Sequence, residues 1–154
     1  MSRAEPTELT VLCLLEQNGN ILLQDRVKPD WRGFALPGGH IEPGESIVSA
    51  VIREMQEETG LTVLDPVLCG VKQFPRVGES YENGRYLVFL FRATRFSGTL
   101  RSSDEGQMYW IPADRLQEVN PVDDLEEMLR VMRAENLSEF QYIVDNGIWN
   151  VVTQ

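Results

Sequence analysis

Three glutamates within five residues form the most chemically distinctive group in the sequence. Glu54, Glu57 and Glu58 lie in the segment GHIEPGESIVSAVIREMQEETGL, which spans residues 39–61. On a helix that turns 100° per residue, the three side chains share an arc of about 100°. Carboxylates this close repel one another, and divalent cations bound through oxygen can neutralise them. The alternative interpretation is an acidic helix face exposed to solvent.

The loop before this helix favours metal binding over a solvated face. Pro37-Gly38-Gly39 ends a short strand-like segment and places a free backbone carbonyl in front of the helix. The two glycines permit backbone angles that other residues avoid. A further glycine, Gly44, precedes Glu45. The apolar stripe of the helix lies beside the acidic arc, which predicts that the acids stand at the lip of a cleft.

The remaining segments predict one α+β domain over residues 1–154, with a mixed sheet between helices. The main helix is expected to begin after the N-cap Ser46 and to end at Thr59, with Gly60 as a left-handed stop. Residues 1–8 are expected to be a loose N-terminus, and residues 137–154 a C-terminal extension that forms a hairpin. The other predicted elements are strands at 9–16, 21–26, 34–36, 62–64, 67–74, 86–94 and 107–111, and a helix at 123–134.

Composition limits the classes of partner. The 14 Lys and Arg residues against 24 Asp and Glu residues give a formal charge of −10, which disfavours nucleic acid polymers and anionic membranes. No apolar run reaches the 18 or more residues of a membrane span. The start of the chain, MSRAEPTE, lacks the apolar core of a signal peptide, and Cys13 and Cys69 are expected to be free thiols. These features predict a cytoplasmic protein.

The segment 39–61 resembles the signature of the Nudix hydrolases, which is Gly, five residues, Glu, seven residues, then Arg-Glu-aliphatic-X-Glu-Glu-X-Gly-aliphatic. The matching residues are Gly39, Glu45, Arg53, Glu54, Met55, Glu57, Glu58, Gly60 and Leu61. The resemblance implies an α/β/α sandwich in which this signature forms a loop–helix–loop. It also implies hydrolysis of a nucleoside diphosphate linked to another group, with Mg²⁺ or Mn²⁺ as the cofactor.

The resemblance assigns a role to each carboxylate. Glu57 and Glu58 would be the principal metal ligands, with the Gly39 carbonyl as another ligand. Glu54 would be a further ligand or the proton acceptor. Arg53 and Glu45 would hold the helix and the loop in register. Together the implied catalytic residues are Glu45, Arg53, Glu54 and Glu57.

Outside the signature, three features resemble MutT-type members, which remove oxidised purine nucleoside triphosphates. Phe34 to Gly39 matches their entry to the signature. Glu105 stands where they place an additional acidic metal ligand, and Asn120 where MutT reads the oxidised base. Arg26 is a candidate for binding the triphosphate. These features predict an 8-oxo-dGTP diphosphatase that acts as a monomer or homodimer; the alternatives are a pyrophosphatase for another derivative such as ADP-ribose, and, remotely, a non-catalytic nucleotide-binding regulator.

Overall fold

A computed structural model of the chain describes residues 2–154. Its strands and helices are β1 (Thr7–Gln17), β2 (Asn20–Arg26), β3 (Gly33–Ala35), β4 (Gly38–His40), α1 (Ile47–Thr59), β5 (Leu61–Leu64), β6 (Val67–Pro75), β7 (Arg85–Ala93), β8 (Arg95–Gly98), β9 (Gly106–Pro112), α2 (Leu125–Arg133), β10 (Glu139–Asp145) and β11 (Ile148–Thr153). Short 3₁₀ helices occupy Tyr81–Asn83 and Ala113–Glu118.

The main sheet is mixed and is organised around β1. Its strands follow the order β11-β10-β6-β7-β1-β2-β3, with β4 added beside β1 and β9 beside β2. β1 runs parallel to β7 and antiparallel to β4 and β2. β5 and β8 form a separate two-stranded sheet, a pairing that the sequence did not predict. The mixed sheet agrees with the sequence-based expectation.

The two helices cover two hydrophobic cores, and β1 contributes to both. Val11, Cys13 and Leu15 pack with α1, whereas Leu14 packs with α2. Alternate side chains of a strand point to opposite faces of its sheet, so α1 and α2 lie on opposite faces. This arrangement confirms the predicted α/β/α sandwich. None of the helices described in residues 2–154 is long and apolar enough to cross a bilayer.

The ends of α1 follow from its capping residues. The Ser46 hydroxyl accepts a hydrogen bond from the Ser49 backbone N–H at 3.2 Å. At the other end Gly60 has φ +77° and donates its N–H to the Gln56 carbonyl at 3.0 Å. Both ends therefore use the residue types that helix termini favour. The predicted N-cap and left-handed stop are confirmed.

The N-terminus is more ordered than the sequence suggested. The expectation of a loose segment through residue 8 is wrong, because β1 already begins at Thr7, which pairs with Arg85 of β7. Just before it, Glu5 forms an ion pair with Arg85 at 2.7 Å, and the Pro6 carbonyl accepts from the Arg85 N–H at 3.1 Å. The parallel partner strand supplies backbone hydrogen bonds that cannot be inferred from the local sequence.

The C-terminal extension is integrated into the fold. β10 and β11 form an antiparallel hairpin, and β10 also runs parallel to β6. Phe140 of this hairpin is fully buried in the core beneath α2. The turn contains Asn146 and Gly147, both with positive φ, as a two-residue hairpin turn requires. The extension therefore completes one edge of the sheet.

Candidate active site

A cavity of about 970 Å³ opens beside α1 and reaches across the sheet to the C-terminal hairpin. Its volume is in the range of sites that hold small molecules and cofactors. Among the described residues, six acidic and three basic side chains line it together with several aromatic rings. The charged lining residues are Arg26, Lys28, Glu54, Glu57, Glu58, Lys72, Glu105, Asp123 and Asp124.

Arg53 fastens the signature loop to α1. Its Nε and Nη2 bind the two carboxylate oxygens of Glu45 at 2.8 and 2.9 Å, and Nη2 also binds the His40 carbonyl at 2.9 Å. Its Nη1 donates to Glu54 at 3.0 Å and to Glu57 at 3.1 Å. One guanidinium thus ties the loop to two acids of the helix, the positioning role that the sequence predicted for Arg53 and Glu45.

The carboxylates of Glu45 and Glu54 lie in environments that shift their pKa values in opposite directions. Hydrogen bonds from Arg53 and from the Glu42 backbone lower the pKa of Glu45 to about 2. Burial is the main cause that raises the pKa of Glu54, and the nearby charges of Glu57 and Glu58 also raise it. Arg53 acts in the opposite direction, but the pKa of Glu54 remains above its usual value. A carboxyl group with a raised pKa is better suited to accept a proton near neutral pH. Glu54 and Glu45, although both are bound by Arg53, therefore differ in how readily they take up a proton.

Glu58 is held by residues from two other parts of the chain. Its carboxylate accepts from Gln24 Nε2 of β2 at 3.0 Å and from the Ser103 hydroxyl at 2.8 Å. The same hydroxyl accepts from the Glu105 N–H at 3.3 Å. Ser103 therefore links the glutamate of α1 to the loop that carries Glu105. Gln24 and Ser103 were not predicted from the sequence. The position of polar Gln24 directly after the apolar run Ile21 to Leu23 could have indicated a functional role for it.

Gly38 and Gly39 are required by crowding. Neither residue uses the left-handed angles that glycine permits, since neither has a positive φ. A Cβ at Gly38 would collide with the Val11 carbonyl, and one at Gly39 would collide with the Glu54 carboxylate. The glycines let β4 pass between β1 and α1. This close approach places the backbone of Gly39 directly against Glu54.

Two basic residues of the cavity, Lys28 and Arg26, lie beside Glu105 and Trp31 respectively. Lys28 Nζ stands 3.4 Å from Glu105 Oε1, and both side chains are partly exposed. Arg26 donates from Nε to the Trp31 carbonyl at 3.0 Å, and its guanidinium lies 4.6 Å from the Trp31 ring centroid. The predicted residues Arg26 and Glu105 therefore share one cavity with the acids of α1.

Asn120 is one of three predicted site residues, with Glu45 and Arg53, that are absent from the described lining of the cavity. Its side chain is exposed and is absent from the lining, and its backbone carbonyl accepts from the Phe34 N–H at 2.8 Å. The backbone of Asn120 supports the turn before α2, and its role as a reader of the base stays a prediction. Asp123 and Asp124, three and four residues later, line the cavity instead.

The cavity is also lined by a second group of polar side chains, which was not predicted from the sequence. Lys72 of β6, Asp124 and Tyr142 of β10 belong to it, and Trp149 of β11 lies against Tyr142. Lys72 interrupts the otherwise apolar stretch VLCGVKQF. A lysine inside a buried strand was the signal for this group, but its partner comes from 52 residues away.

The carboxylates are hydrogen-bonded to protein partners in this arrangement. Within residues 2–154, no three acidic, histidine or cysteine side chains stand together closely enough to hold a metal ion as placed. Glu54 and Glu57 are turned toward Arg53, and Glu58 toward Gln24 and Ser103. The donor set still fits a hard cation, because the cavity offers carboxylate oxygens without competing sulfur ligands in its described lining.

Comparison with known proteins identifies the family. A model described as NUDIX domain matches residues 6–133. The chain therefore belongs to the Nudix domain family. The match includes all the signature residues and ends at the last residue of α2, before the C-terminal hairpin.

Individual relatives differ in the substrates that their names give. The chain is 33% identical over 114 residues to the oxidized purine nucleoside triphosphate hydrolase of Danio rerio, covering 71% of this chain and 69% of that protein. It is 35% identical over 95 residues to the ADP-ribose pyrophosphatase of Methanocaldococcus jannaschii, covering 61% and 54%. The chain spans between 54% and 69% of the length of the first three curated relatives it matches.

A solved structure extends the likeness to the whole chain. The mutator MutT protein from Bacillus halodurans superposes with a TM-score of 0.78 at 27% identity, and the match covers 96% of this chain and 97% of that one. This coverage includes most of the C-terminal hairpin, unlike the family model. The fold expected from the sequence is therefore confirmed over nearly its full length.

Proposed function

We propose that this protein hydrolyses a nucleoside triphosphate to the monophosphate and pyrophosphate, with Mg²⁺ or Mn²⁺ as cofactor. Oxidised purine nucleotides such as 8-oxo-dGTP are the proposed substrates. The observation that carries the proposal is that Glu54, Glu57 and Glu58 face the same cavity as Glu105 and Arg26. The name of the Danio rerio relative supports the substrate class.

The metal would be held by the carboxylates of α1. Glu57 and Glu58 are its proposed principal ligands, with Glu54, Glu105 and the Gly39 carbonyl completing the set. The bound cation would supply positive charge to the phosphoryl oxygens and acidify a bound water. Loading requires Glu57 and Glu58 to exchange their present hydrogen bonds for the cation. The exposed side chain of Glu57 leaves it free to turn.

The chain's own groups divide the remaining work. Arg53 and Glu45 hold the loop against α1, so the backbone of Gly39 stays beside Glu54. In the alternative in which Glu54 is not a metal ligand, it accepts the proton of the attacking water. Arg26 and Lys28 lie where they can bind phosphate oxygens and offset part of the negative charge of the cavity. Glu105 adds a carboxylate from the opposite loop.

Several features support a small nucleotide as the partner and the cytoplasm as the compartment. A formal charge of −10 disfavours a polyanionic polymer, whereas the cavity accommodates one small molecule. Cys13 and Cys69 are both free, as is usual in a reducing compartment. The protein is proposed to act as a monomer or homodimer.

A substrate panel tests the function. Purified protein with Mg²⁺ is incubated with 8-oxo-dGTP, dGTP, the other nucleoside triphosphates and ADP-ribose, and the products are separated by anion exchange. The proposal expects a monophosphate and pyrophosphate from 8-oxo-dGTP, with a higher kcat/KM than from dGTP. Orthophosphate with a nucleoside diphosphate would reject this cleavage position. Preferred cleavage of ADP-ribose would favour the activity named for the Methanocaldococcus relative, and binding without any hydrolysis would favour a regulatory protein.

A further inference from the structure

Glu58 differs from the other two glutamates of the signature helix in the kind of group that binds it. Arg53 binds the other two through ion pairs at 3.0 and 3.1 Å. Glu58 instead accepts from the Gln24 amide at 3.0 Å and from the Ser103 hydroxyl at 2.8 Å. Both donors are neutral, so they orient the carboxylate without neutralising its charge. Neither Gln24 nor Ser103 belongs to the Nudix signature.

Gln24 is a rigid support for this carboxylate. Its side chain is almost completely buried, and its strand is paired on both sides, with Ala35 of β3 and with Met108 of β9. A buried amide is costly unless it is hydrogen-bonded, and Glu58 supplies one partner. The sheet therefore fixes one side of the Glu58 carboxylate.

Ser103 joins the other side of Glu58 to a second proposed metal ligand. Its hydroxyl oxygen accepts from the Glu105 N–H at 3.3 Å. Backbone hydrogen bonds of 3.2 and 3.3 Å between Ser103 and Gly106 close residues 103–106 into a turn. A Cβ at Gly106 would collide with a backbone carbonyl of β2, so the turn lies directly against that strand. The Glu105 backbone is thus held beside the acids of α1.

The two hydrogen bonds use different parts of the Ser103 hydroxyl. A serine hydroxyl has one donor and two acceptor lone pairs. The donor binds Glu58, and a lone pair accepts from the Glu105 N–H. The bond to Glu105 therefore does not depend on the bond that Glu58 gives up when it turns to a cation.

We propose that Ser103 is a positioning residue that couples Glu58 and Glu105 in binding the divalent cation, an inference that rests on the proposed function. Before loading, its hydroxyl orients Glu58. During loading, its bond to the Glu105 N–H keeps residues 103–106 in place, so the second carboxylate is already ordered when the cation arrives. Loss of the hydroxyl would add the entropy cost of ordering that turn. Groups that orient metal ligands commonly change the affinity for the metal by about 10–100-fold.

The test measures Mn²⁺ binding in the absence of substrate, from the electron paramagnetic resonance signal of the free ion. Ser103→Ala is expected to raise the Kd by about tenfold or more. Ser103→Thr keeps the hydroxyl and should stay within about threefold of the native protein. An unchanged Kd in Ser103→Ala would overturn the proposal, and so would equal losses in the alanine and threonine variants.

Ser102→Ala is the matched control. Ser102 is the adjacent serine, and its hydroxyl oxygen accepts from the Met108 N–H at 3.2 Å. The control therefore also loses a hydrogen bond to the backbone, and it should leave the Kd within about twofold. If Ser102→Ala weakens binding as much as Ser103→Ala, a general loosening of the loop explains both, and the proposal is overturned.

A double-variant cycle tests the coupling itself. Ser103→Ala is introduced into a Glu105→Gln protein, whose own Kd for Mn²⁺ is expected to rise. Because Ser103 acts partly through Glu105, the added loss in this background should fall to about threefold or less. The same fold-change in both backgrounds would overturn the coupling. If Ser103→Ala does not fold in a thermal unfolding assay, Ser103→Cys, a weaker donor, takes its place, and its Kd must rise by at least about threefold.

Kinetics separate this role from the proposed function. In Ser103→Ala the Mg²⁺ concentration needed for half-maximal hydrolysis of 8-oxo-dGTP should rise about tenfold, with kcat at saturating Mg²⁺ within about threefold. A lower kcat with an unchanged Mg²⁺ requirement would overturn the positioning role. If the native protein binds Mn²⁺ but hydrolyses no nucleotide, the proposed function fails and the Kd values still decide the coupling. Hydrolysis by the native protein with normal Mn²⁺ binding by Ser103→Ala would give the reverse result.

Discussion

The carboxylates of Glu54 and Glu57 in α1 differ in how deeply they are buried and in how much they contribute to stability. Glu54 is largely buried against Gly39, whereas Glu57 is 56% exposed and, among residues 2–154, is bound only by Arg53. An exposed ion pair of this kind contributes roughly 0–1 kcal/mol to the free energy of unfolding. Glu57 therefore serves stability little, which is the pattern expected for a residue reserved for a ligand.

The Glu57→Gln variant tests that assignment. It preserves shape but removes a charge that the cation needs, so kcat is expected to fall by at least about 10²–10³. The stability of the metal-free protein against unfolding should be unchanged or slightly higher, because the repulsion of Glu57 by Glu54 and Glu58 is relieved. Glu127→Gln is a matched control: Glu127 is a helical glutamate, 50% exposed and paired with Arg130 at 2.8 Å. Near-normal turnover of Glu57→Gln would reject its role as a metal ligand.

The β4 strand and α1 are held closer together than any side chain would allow. β4 is hydrogen-bonded to β1 through Val11 and Gly39, so it cannot move away from the helix freely. Arg53 fixes the other side of the loop through Glu45 and His40. The two elements therefore hold the Gly39 backbone and the Glu54 carboxylate as one rigid unit.

The Gly39→Ala variant tests this close packing. Its methyl group would collide with the Glu54 carboxylate, and displacement of a reacting group by about 1 Å can cost roughly 10²-fold in rate. We expect a loss of kcat of that order in a folded protein, measured together with thermal unfolding. Gly78→Ala is the control, since Gly78 has φ +70° and open space around it; it should lose about 1 kcal/mol of stability and retain activity. Full activity of Gly39→Ala would show that Glu54 tolerates displacement.

The cavity carries part of the acidic excess of the whole molecule. The formal charge is −10, and acidic residues outnumber basic ones two to one in the described lining. Like charges gathered in this way destabilise the folded state until cations bind. The proposed cation is therefore expected to stabilise the folded state through the carboxylates of α1.

Thermal unfolding with and without Mg²⁺ tests this linkage. A cation that binds only the folded state at about 100 times its Kd adds about 2.7 kcal/mol, or roughly 5–10 °C in Tm for a chain of this size. NaCl at equal ionic strength is the control for simple screening of the net charge, and should give a smaller rise. If both salts raise Tm equally, the carboxylates do not form a specific site for the cation.

The sequence by itself determined the signature helix and its surroundings to a large extent. Helical periodicity placed Glu54, Glu57 and Glu58 on one arc, and Ser46 and Gly60 marked the ends of α1, because caps and periodicity are local properties. Family resemblance also identified Arg53 and Glu45 as a pair. The C-terminal hairpin followed from Asn146-Gly147, a turn that requires positive φ at both residues.

Only the tertiary structure decided which distant residues complete the cavity. Lys72 meets Asp124 across 52 residues, and Gln24 and Ser103 reach Glu58 from separate segments. The backbone of Asn120, a residue chosen for its place before α2, binds Phe34 of β3. Such contacts depend on how strands pair and on which face of the sheet each side chain occupies. Spacing along the chain carries no record of these long-range pairings, so the residues that complete the cavity could be found only after the sheet was assembled.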